Sequence, residues 1–175
     1  MIMGITGHTR GLGLELFNYF KIKNGFSRSN NYDISNPNKI VNDALNYDVF
    51  INNAFDWNNG FAQTELLQTF YKHNYKGLII NIASSIETVV RDKVRPYDIH
   101  KRSLIDCSKQ LYYLGFKTSV ISPGAIDTGL GKDFSGSKLN TKSIVNCINL
   151  IIKEKCTIQH IILTGRFLWI GLYVI

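Results

Sequence analysis

The chain has 175 residues, of which 45% are hydrophobic and 19% are charged, and its formal net charge is +7. A chain of this length and composition can bury a substantial core, which predicts one globular domain over residues 1–175 and excludes a disordered protein. The basic residues are spread along the sequence, and their densest groups, at residues 91–95 and 100–102, lack interleaved aromatic side chains. We therefore predict no nucleic-acid partner.

Short apolar runs rich in Ile and Val alternate with longer amphipathic segments, which is typical of strands and helices that take turns along a chain. In chain order, strands are predicted at residues 2–6, 25–28, 48–52, 78–84, 118–122 and 158–163. Helices are predicted at residues 12–23, 37–45, 64–73, 96–114 and 141–153. Several strands are apolar on successive residues, which indicates a parallel sheet covered on both faces. The predicted fold class is α/β, with three layers around a doubly wound parallel sheet.

The first predicted strand runs into the glycine-rich segment TGHTRGLG, residues 6–13, which opens the first helix. Ligands of open parallel sheets bind beyond the carboxyl ends of the strands. Glycines in such a turn permit positive φ angles and let the backbone approach a pyrophosphate, which the helix N-terminus stabilises. This segment therefore predicts a site for the phosphates of a dinucleotide.

The segment YDIHK, residues 97–101, places a tyrosine and a lysine one helical turn apart, on one face of a helix. Tyr19 with Lys23 and Tyr113 with Lys117 have the same spacing, so the spacing alone carries little information. Only Tyr97 follows, by thirteen residues, a serine at the end of a predicted strand, Ser84. The one-residue alternative, Ser85, stays open at this point.

Four segments occur in a fixed order: TGHTRGLG, NNA at residues 52–54, Ser84 with YDIHK, and PGAIDT at residues 123–128. In this set and order the sequence resembles the short-chain dehydrogenases/reductases, in the compact branch of that family, over residues 6–128. The resemblance implies a Rossmann-like fold and an enzyme that transfers hydride between NADP(H) and a carbonyl or hydroxyl group of a small molecule. The alternative is a protein of the same fold that binds NADP without catalysis, as a sensor or scaffold.

The resemblance also implies roles for single residues. Tyr97 would be the general acid and base, Ser84 would orient the substrate oxygen, and Lys101 would lower the pKa of Tyr97 and hold the nicotinamide ribose. The family often adds an asparagine in the helix before the serine strand. Between Asn58 and Asn59 we favour Asn58, so that the predicted catalytic set is Ser84, Tyr97, Lys101 and Asn58.

A basic residue near the adenosine ribose favours the 2′-phosphate of NADP, and Arg28 follows the second predicted strand while Arg10 lies inside the glycine turn. Asp33 resembles the aspartate that contacts adenine in the family. We therefore predict NADP(H) in preference to NAD(H). No metal is predicted, because the cysteines have no CxxC spacing and the four histidines are scattered. The predicted cofactor-binding residues are Gly7, Thr9, Arg10, Gly11, Leu12, Gly13, Arg28, Asp33, Asn53, Ala54, Tyr97, Lys101, Pro123, Gly124, Ile126 and Thr128.

The sequence departs from the family pattern in three places. Phe55 stands where the family has the glycine of NNAG, which brings a bulky side chain close to the cofactor site. The region between the second and fourth strands of the family is abbreviated, with barely room for a strand at residues 32–34 and none for the helix that usually follows NNAG. Residues 129–140, rich in Gly, Ser and Lys, are predicted to form a mobile loop over the substrate.

The apolar tail at residues 167–175 is too short to span a bilayer, and the first residues lack the features of a signal peptide. Three cysteines without CxxC spacing indicate reduced thiols. We predict a cytoplasmic protein without a membrane partner. The tail is expected to pack against the sheet or a second subunit, which leaves a homodimer open in place of the tetramer usual in the family.

Overall fold

A computed structural model of the chain describes residues 1–88, 93–128, 135–154, 158–164 and 168–169. Seven strands form one sheet: β1 (Met3–Thr6), β2 (Asn24–Phe26), β3 (Val49–Asn52), β4 (Leu78–Ile82), β5 (Thr118–Pro123), β6 (His160–Leu163) and β7 (Leu168–Trp169). Five helices connect them: α1 (Gly11–Tyr19), α2 (Pro37–Ala44), α3 (Ala62–Lys72), α4 (Pro96–Tyr113) and α5 (Thr141–Lys153). Every predicted strand and helix is present, with ends that differ by up to four residues.

The strand order is β2-β1-β3-β4-β5-β6-β7. The first six strands of this order pair in parallel, and β7 pairs with β6 in the antiparallel direction. The chain moves outward from β1 to β2 and then returns to the other side of β1 for β3. This reversal places a crevice at the carboxyl ends of β1 and β3, where open α/β sheets bind ligands.

The sheet is covered on both faces because its central strands are apolar on both sides. One core cluster packs α1 and α5 against the sheet, with Leu16 and Ile148 fully buried. The other packs α2, α3 and α4 against the opposite face, with Phe50, Leu66 and Leu104 fully buried. The structure is therefore the predicted three-layer, doubly wound, Rossmann-like α/β fold.

The predicted abbreviation lies between β2 and α2. The predicted second strand stops at Phe26, and Arg28–Asn30 form a 3₁₀ turn instead of continuing it. Residues 32–34 form no strand either, because Asp33 accepts the backbone N–H of Ser35 in a tight turn and α2 begins soon after, at Pro37. The connection between β3 and α3 contains no additional helix.

No helix within the described ranges is long and apolar enough to cross a membrane. Most of the apolar tail, residue 167 and residues 170–175, lies outside the described residues, so its packing stays a prediction.

Candidate active site

The glycine turn lies between the carboxyl end of β1 and the start of α1, and its geometry requires glycine. Gly7 and Gly11 have φ angles of 72° and 54°, which residues with a Cβ rarely adopt. A Cβ on Gly13 would overlap the carbonyl oxygen of Gly7, so the helix packs directly on the turn. Arg10, the N-cap residue of α1, makes no side-chain capping hydrogen bond. The first amide groups of this nine-residue helix therefore have no side-chain cap and suit a phosphate.

The NNA segment after β3 is held against this turn by Thr6. The backbone N–H groups of Asn53 and Ala54 both donate to Thr6 Oγ1 at 2.9 Å, and the Asn53 side-chain amide donates to the Thr6 carbonyl oxygen at 3.1 Å. A Cβ on Gly7 would lie 3.0 Å from the Cβ of Ala54. The ends of β1 and β3 thus form one continuous surface.

The PGAIDT segment approaches the same surface from β5. The backbone N–H of Gly124 donates to the carbonyl oxygen of Leu163 at 2.7 Å, and Ile126 forms a bridge with Leu139. Thr128 reaches the glycine turn, since a Cβ on Gly11 would lie 3.9 Å from Thr128 Oγ1. Residues 129–134, part of the predicted mobile loop, lie outside the described residues.

The residues predicted to bind the adenosine end of a cofactor lie around the edge of this surface. Thr9, Arg10 and Arg28 are exposed, whereas Leu12 is buried in the core. Asp33 is engaged in its own turn, through the hydrogen bond from Ser35 at 2.9 Å.

Ser84 and Tyr97 meet at the carboxyl end of β4. Pro96 starts α4 and fixes the first turn of the helix, which carries Tyr97. Burial raises the pKa of the Tyr97 phenol, and the hydrogen bond with the Ser84 side chain opposes that rise. Ser85 instead begins a 3₁₀ turn and accepts the Thr88 hydroxyl on its backbone oxygen at 2.7 Å. The serine that contacts Tyr97 is therefore Ser84.

Lys101 lies one turn further along α4 and is only 3% exposed. Its Nζ donates to Gln63 Oε1 at 2.6 Å and to the Ile82 carbonyl oxygen at 2.9 Å. Burial lowers the pKa of Lys101 to about 7. The expectation that Lys101 lowers the pKa of Tyr97 is not met in this arrangement. Loss of hydration is the largest influence on the pKa of both groups. It favours the neutral phenol of Tyr97 and the neutral amine of Lys101.

Phe55 covers this pair of residues. The centre of its ring lies 5.0 Å from that of Tyr97 in an edge-on arrangement, and Lys101 Nζ lies 5.2 Å from the centre of the Phe55 ring. Lys101 Nζ also lies 5.7 Å from the centre of the Tyr97 ring. Phe55 thus contributes, with Gln63 and Ile82, to the enclosure of the Lys101 ammonium.

Asn58 lies elsewhere, in the exposed turn between β3 and α3, where its backbone N–H donates to Asp56 Oδ1 at 2.9 Å. None of the described hydrogen bonds connects Asn58 with Lys101. Asn59 is also engaged apart from the site, since its side-chain amide donates to Glu65 at 3.0 Å. Gln63, in the first turn of α3, contacts Lys101 instead. No sequence motif identifies Gln63, because the shortened connection before α3 removes the spacing by which that helix would be aligned with the family.

Comparison of the sequence with protein-family models gives no match, and comparison with curated protein sequences gives none either. The structure, in contrast, resembles many solved structures. A short-chain dehydrogenase from Burkholderia cenocepacia J2315 in complex with NADP superposes with a TM-score of 0.75 and 17% identity, over 93% of this chain and 87% of that chain. A 4-hydroxyisoleucine dehydrogenase mutant complexed with NADH and succinate superposes with a TM-score of 0.72 and 21% identity, over 94% of this chain and 97% of that chain.

A third structure is the 3-ketoacyl-(acyl-carrier-protein) reductase from Brucella melitensis complexed with NADH, with a TM-score of 0.69 and 16% identity, over 93% of this chain and 95% of that chain. The chain therefore has the fold of the short-chain dehydrogenases/reductases. At these identities the comparison concerns the fold, and the chemistry has to be argued from the residues of this chain.

Proposed function

We propose that this protein is an oxidoreductase that transfers hydride between NADP(H) and a carbonyl or hydroxyl group of a small molecule. The observation that carries the proposal is the meeting of Ser84, Tyr97 and Lys101 at the carboxyl end of β4, two strands from a glycine turn suited to phosphate. The fold supports it, since the structural neighbours described above are NAD(P)-dependent dehydrogenases and reductases.

The residues present fit a nicotinamide dinucleotide at its phosphate end. Gly7 and Gly13 hold the turn, the start of α1 and Ala54 in close contact, whereas a Cβ on Gly11 would meet only Thr128, at 3.9 Å. The uncapped amides of α1 offer donors to the pyrophosphate. Arg10 and Arg28 are exposed and basic, which favours NADP(H) because a guanidinium can bind the 2′-phosphate through two hydrogen bonds. Ala54, Ile126 and Thr128 complete the surface toward the nicotinamide end.

When bound at this site, NADPH would supply the hydride that reduces the substrate carbonyl to an alcohol. Tyr97 donates its phenolic proton to the carbonyl oxygen while the carbon–oxygen π bond breaks and the new carbon–hydrogen bond forms. Ser84 donates a hydrogen bond to the same oxygen and orients it. Because burial raises the pKa of Tyr97, the phenol keeps its proton at neutral pH. A protonated phenol is the form that reduction requires, because Tyr97 acts as the proton donor in that direction.

The first test replaces the proton donor. Tyr97→Phe is expected to abolish NADPH oxidation across a panel of aldehydes and ketones, while a fluorescence titration shows unchanged NADPH binding. Tyr19→Phe and Tyr113→Phe are the matched controls, because both tyrosines precede a lysine by four residues and both side chains are exposed. Continued turnover by Tyr97→Phe would remove the basis of the proposed mechanism.

The same titration compares NADPH with NADH in the wild type and in Arg28→Ala. We expect tighter binding of NADPH by about tenfold or more, and a loss of most of that preference in the variant, because a hydrogen-bonded ion pair of this kind contributes about 1.5–3 kcal/mol. Equal binding of the two cofactors by the wild type would contradict the NADP assignment.

One observation favours a second function, an NADP-binding protein without catalysis. Phe55 covers Lys101, which is 3% exposed, so Lys101 reaches a cofactor ribose only if the ring moves. Tight NADPH binding without turnover on any carbonyl, in the wild type and in Phe55→Gly alike, would support this function over the enzymatic one.

A further inference from the structure

Two aromatic side chains, Phe55 and Trp57, contact Tyr97, and His100 and Phe61 extend this cluster away from it. We call Phe55, Trp57, Phe61 and His100 the aromatic shelf. The Trp57 ring stacks on Tyr97 at 5.7 Å between centres with an angle of 25°, and Phe55 contacts both rings edge-on at 4.9 and 5.0 Å. His100 connects Phe55 to Phe61, at 6.2 and 4.6 Å. The shelf therefore extends continuously outward from the proposed proton donor.

The loop that carries Phe55 and Trp57 is anchored between them by Asp56. This carboxylate is buried and accepts the Ser35 hydroxyl and the Asn58 backbone N–H, each at 2.9 Å. The Asn58 N–H lowers the pKa of Asp56 most, and the Ser35 hydroxyl and the charge of Arg28 act in the same direction. The backbone of the loop that carries the two rings is thus anchored before any ligand binds.

Gly60 holds the other end of the loop close to α4. A Cβ at this position would overlap the His100 ring, so the backbone passes directly across the imidazole. This close approach fixes His100 and, through it, Phe61 relative to the helix that carries Tyr97.

The outer part of the shelf is exposed although it is apolar. Trp57 is 69% exposed and Phe61 is 42% exposed. The charged side chains that follow or precede Trp57 and Phe61 most closely in the sequence are bonded elsewhere. Asp56 accepts a hydrogen bond from Ser35, and Glu65 accepts one from Asn59 at 3.0 Å. An exposed, pre-organised aromatic surface next to a proton donor is typical of a binding site for an apolar planar group.

We propose that the substrate is an aromatic carbonyl compound whose ring stacks on Trp57 while its carbonyl oxygen reaches Tyr97 and Ser84. This inference rests on the proposed function and names the substrate class of the same site. Part of the indole already packs on the phenol ring, so a planar group on the exposed part of Trp57 lies at the edge of Tyr97. An aliphatic molecule of equal size gains less from that surface.

The kinetic experiment compares benzaldehyde with cyclohexanecarbaldehyde, which have the same number of carbon atoms, in the presence of NADPH. We expect a higher kcat/KM for benzaldehyde in the wild type, and a fall in the ratio of the two values by about fivefold or more in Trp57→Ala, mainly through KM. Trp57→Phe should retain most of the preference. Tyr113→Ala, which removes an exposed aromatic side chain at the far end of α4, is the control.

A binding measurement separates this inference from the proposed function. Benzyl alcohol and cyclohexylmethanol are titrated calorimetrically into the NADP⁺ complex of the wild type and of Trp57→Ala. A preference for benzyl alcohol that disappears in the variant supports the aromatic site even if neither aldehyde is turned over, in which case only the oxidoreductase assignment fails. Equal affinity for the two alcohols, or a preference that survives in Trp57→Ala, overturns the inference even if both aldehydes are reduced.

Discussion

Lys101 is held by acceptors on two sides, and hydrogen bonds to its ammonium favour the charged form. Its ammonium donates to Gln63 Oε1 and to the Ile82 carbonyl oxygen. Gln63 is itself oriented, because its Nε2 donates to the Asn52 carbonyl oxygen at 2.9 Å and its backbone oxygen accepts the Asn52 side-chain amide at 2.9 Å. Burial acts in the opposite direction and lowers the pKa of Lys101 to about 7.

Substitution of Gln63 is expected to move the pH dependence of catalysis. If reduction requires the Lys101 ammonium, kcat/KM falls as the pH rises through about 7. Gln63→Leu removes an acceptor that stabilises the charged form, so the fall should move to lower pH by about one unit, whereas Gln63→Glu should move it to higher pH. The measurement is kcat/KM for an aldehyde between pH 5 and 9.

Gln68→Leu is the matched control for this experiment, because Gln68 lies on the same helix and is exposed. A structural effect of Gln63→Leu would lower kcat/KM at every pH without moving the profile. An unchanged profile in both Gln63 variants would show that Gln63 does not position or charge Lys101.

At the residue scale, the sequence predicts which side chains of one helix lie together. It does not predict contacts between helices when the connection between them has an unusual length. The structure brings Ser84 and Tyr97 together, and it places Lys101 beside the Tyr97 ring one helical turn further along α4. The catalytic roles of these residues stay a prediction. The contact of Gln63 with Lys101 could not be foreseen, since it depends on how a shortened loop positions α3. The direction of the Tyr97 pKa shift was also missed, because burial is a property of the packed site.

At the scale of elements, glycine spacing and apolar runs carried most of the information. The runs of consecutive apolar residues identified the central strands, because these strands are buried on both faces. The end of β2 was predicted two residues too late, since Asn30 turns the chain back: its side chain accepts the Ser27 N–H at 2.8 Å and donates to the Gly25 carbonyl oxygen at 2.6 Å. Such side-chain competition with a strand has no periodic signal.

The junction of β1 and α1 gives a prediction for the glycine turn. Gly13→Ala would place a methyl group against the Gly7 carbonyl oxygen, so the helix start must shift away from the turn. We expect a loss of stability of about 1–3 kcal/mol, from overpacking, and a loss of NADPH affinity of tenfold or more. Urea unfolding and a fluorescence titration measure the two effects.

Gly115→Ala is the control for Gly13→Ala. Gly115 has a φ angle of 81°, but a Cβ there meets no atom within 4 Å, so the substitution introduces backbone strain without a collision. It should reduce stability by about 1 kcal/mol and leave NADPH affinity unchanged. NADPH binding by Gly13→Ala as tight as that of the wild type would contradict the close packing of α1 on the turn.

At the scale of the whole molecule, polar bonds connect the site to the centre of the sheet. Asn52 on β3 donates to Asn81 on β4 at 2.9 Å, and Asn81 donates to Thr118 on β5 at 3.0 Å. Ser108 on α4 is bonded to Thr118 at 2.9 Å. The two helices that carry Gln63 and Lys101 are therefore connected to three central strands by buried hydrogen bonds, which depend on geometry more strictly than apolar packing does.

The buried lysine makes the stability of the fold depend on pH in a defined direction. In the unfolded chain Lys101 has its ordinary pKa, whereas in the folded protein the pKa is about 7. Between these values the unfolded chain binds a proton that the folded protein lacks, so the free energy of unfolding rises with pH from about 7 upward. Lys101→Met removes this contribution. The stability of the wild type relative to this variant should therefore increase by about 2 kcal/mol between pH 7 and pH 9, and change little below pH 6.

Urea unfolding at several pH values measures this difference in stability. Lys72→Met, at the exposed end of α3, is the control and should show the same pH dependence as the wild type. A difference that stays constant or decreases over this range would mean that Lys101 keeps its proton in the folded protein, and the expected fall of kcat/KM near pH 7 would then need another cause.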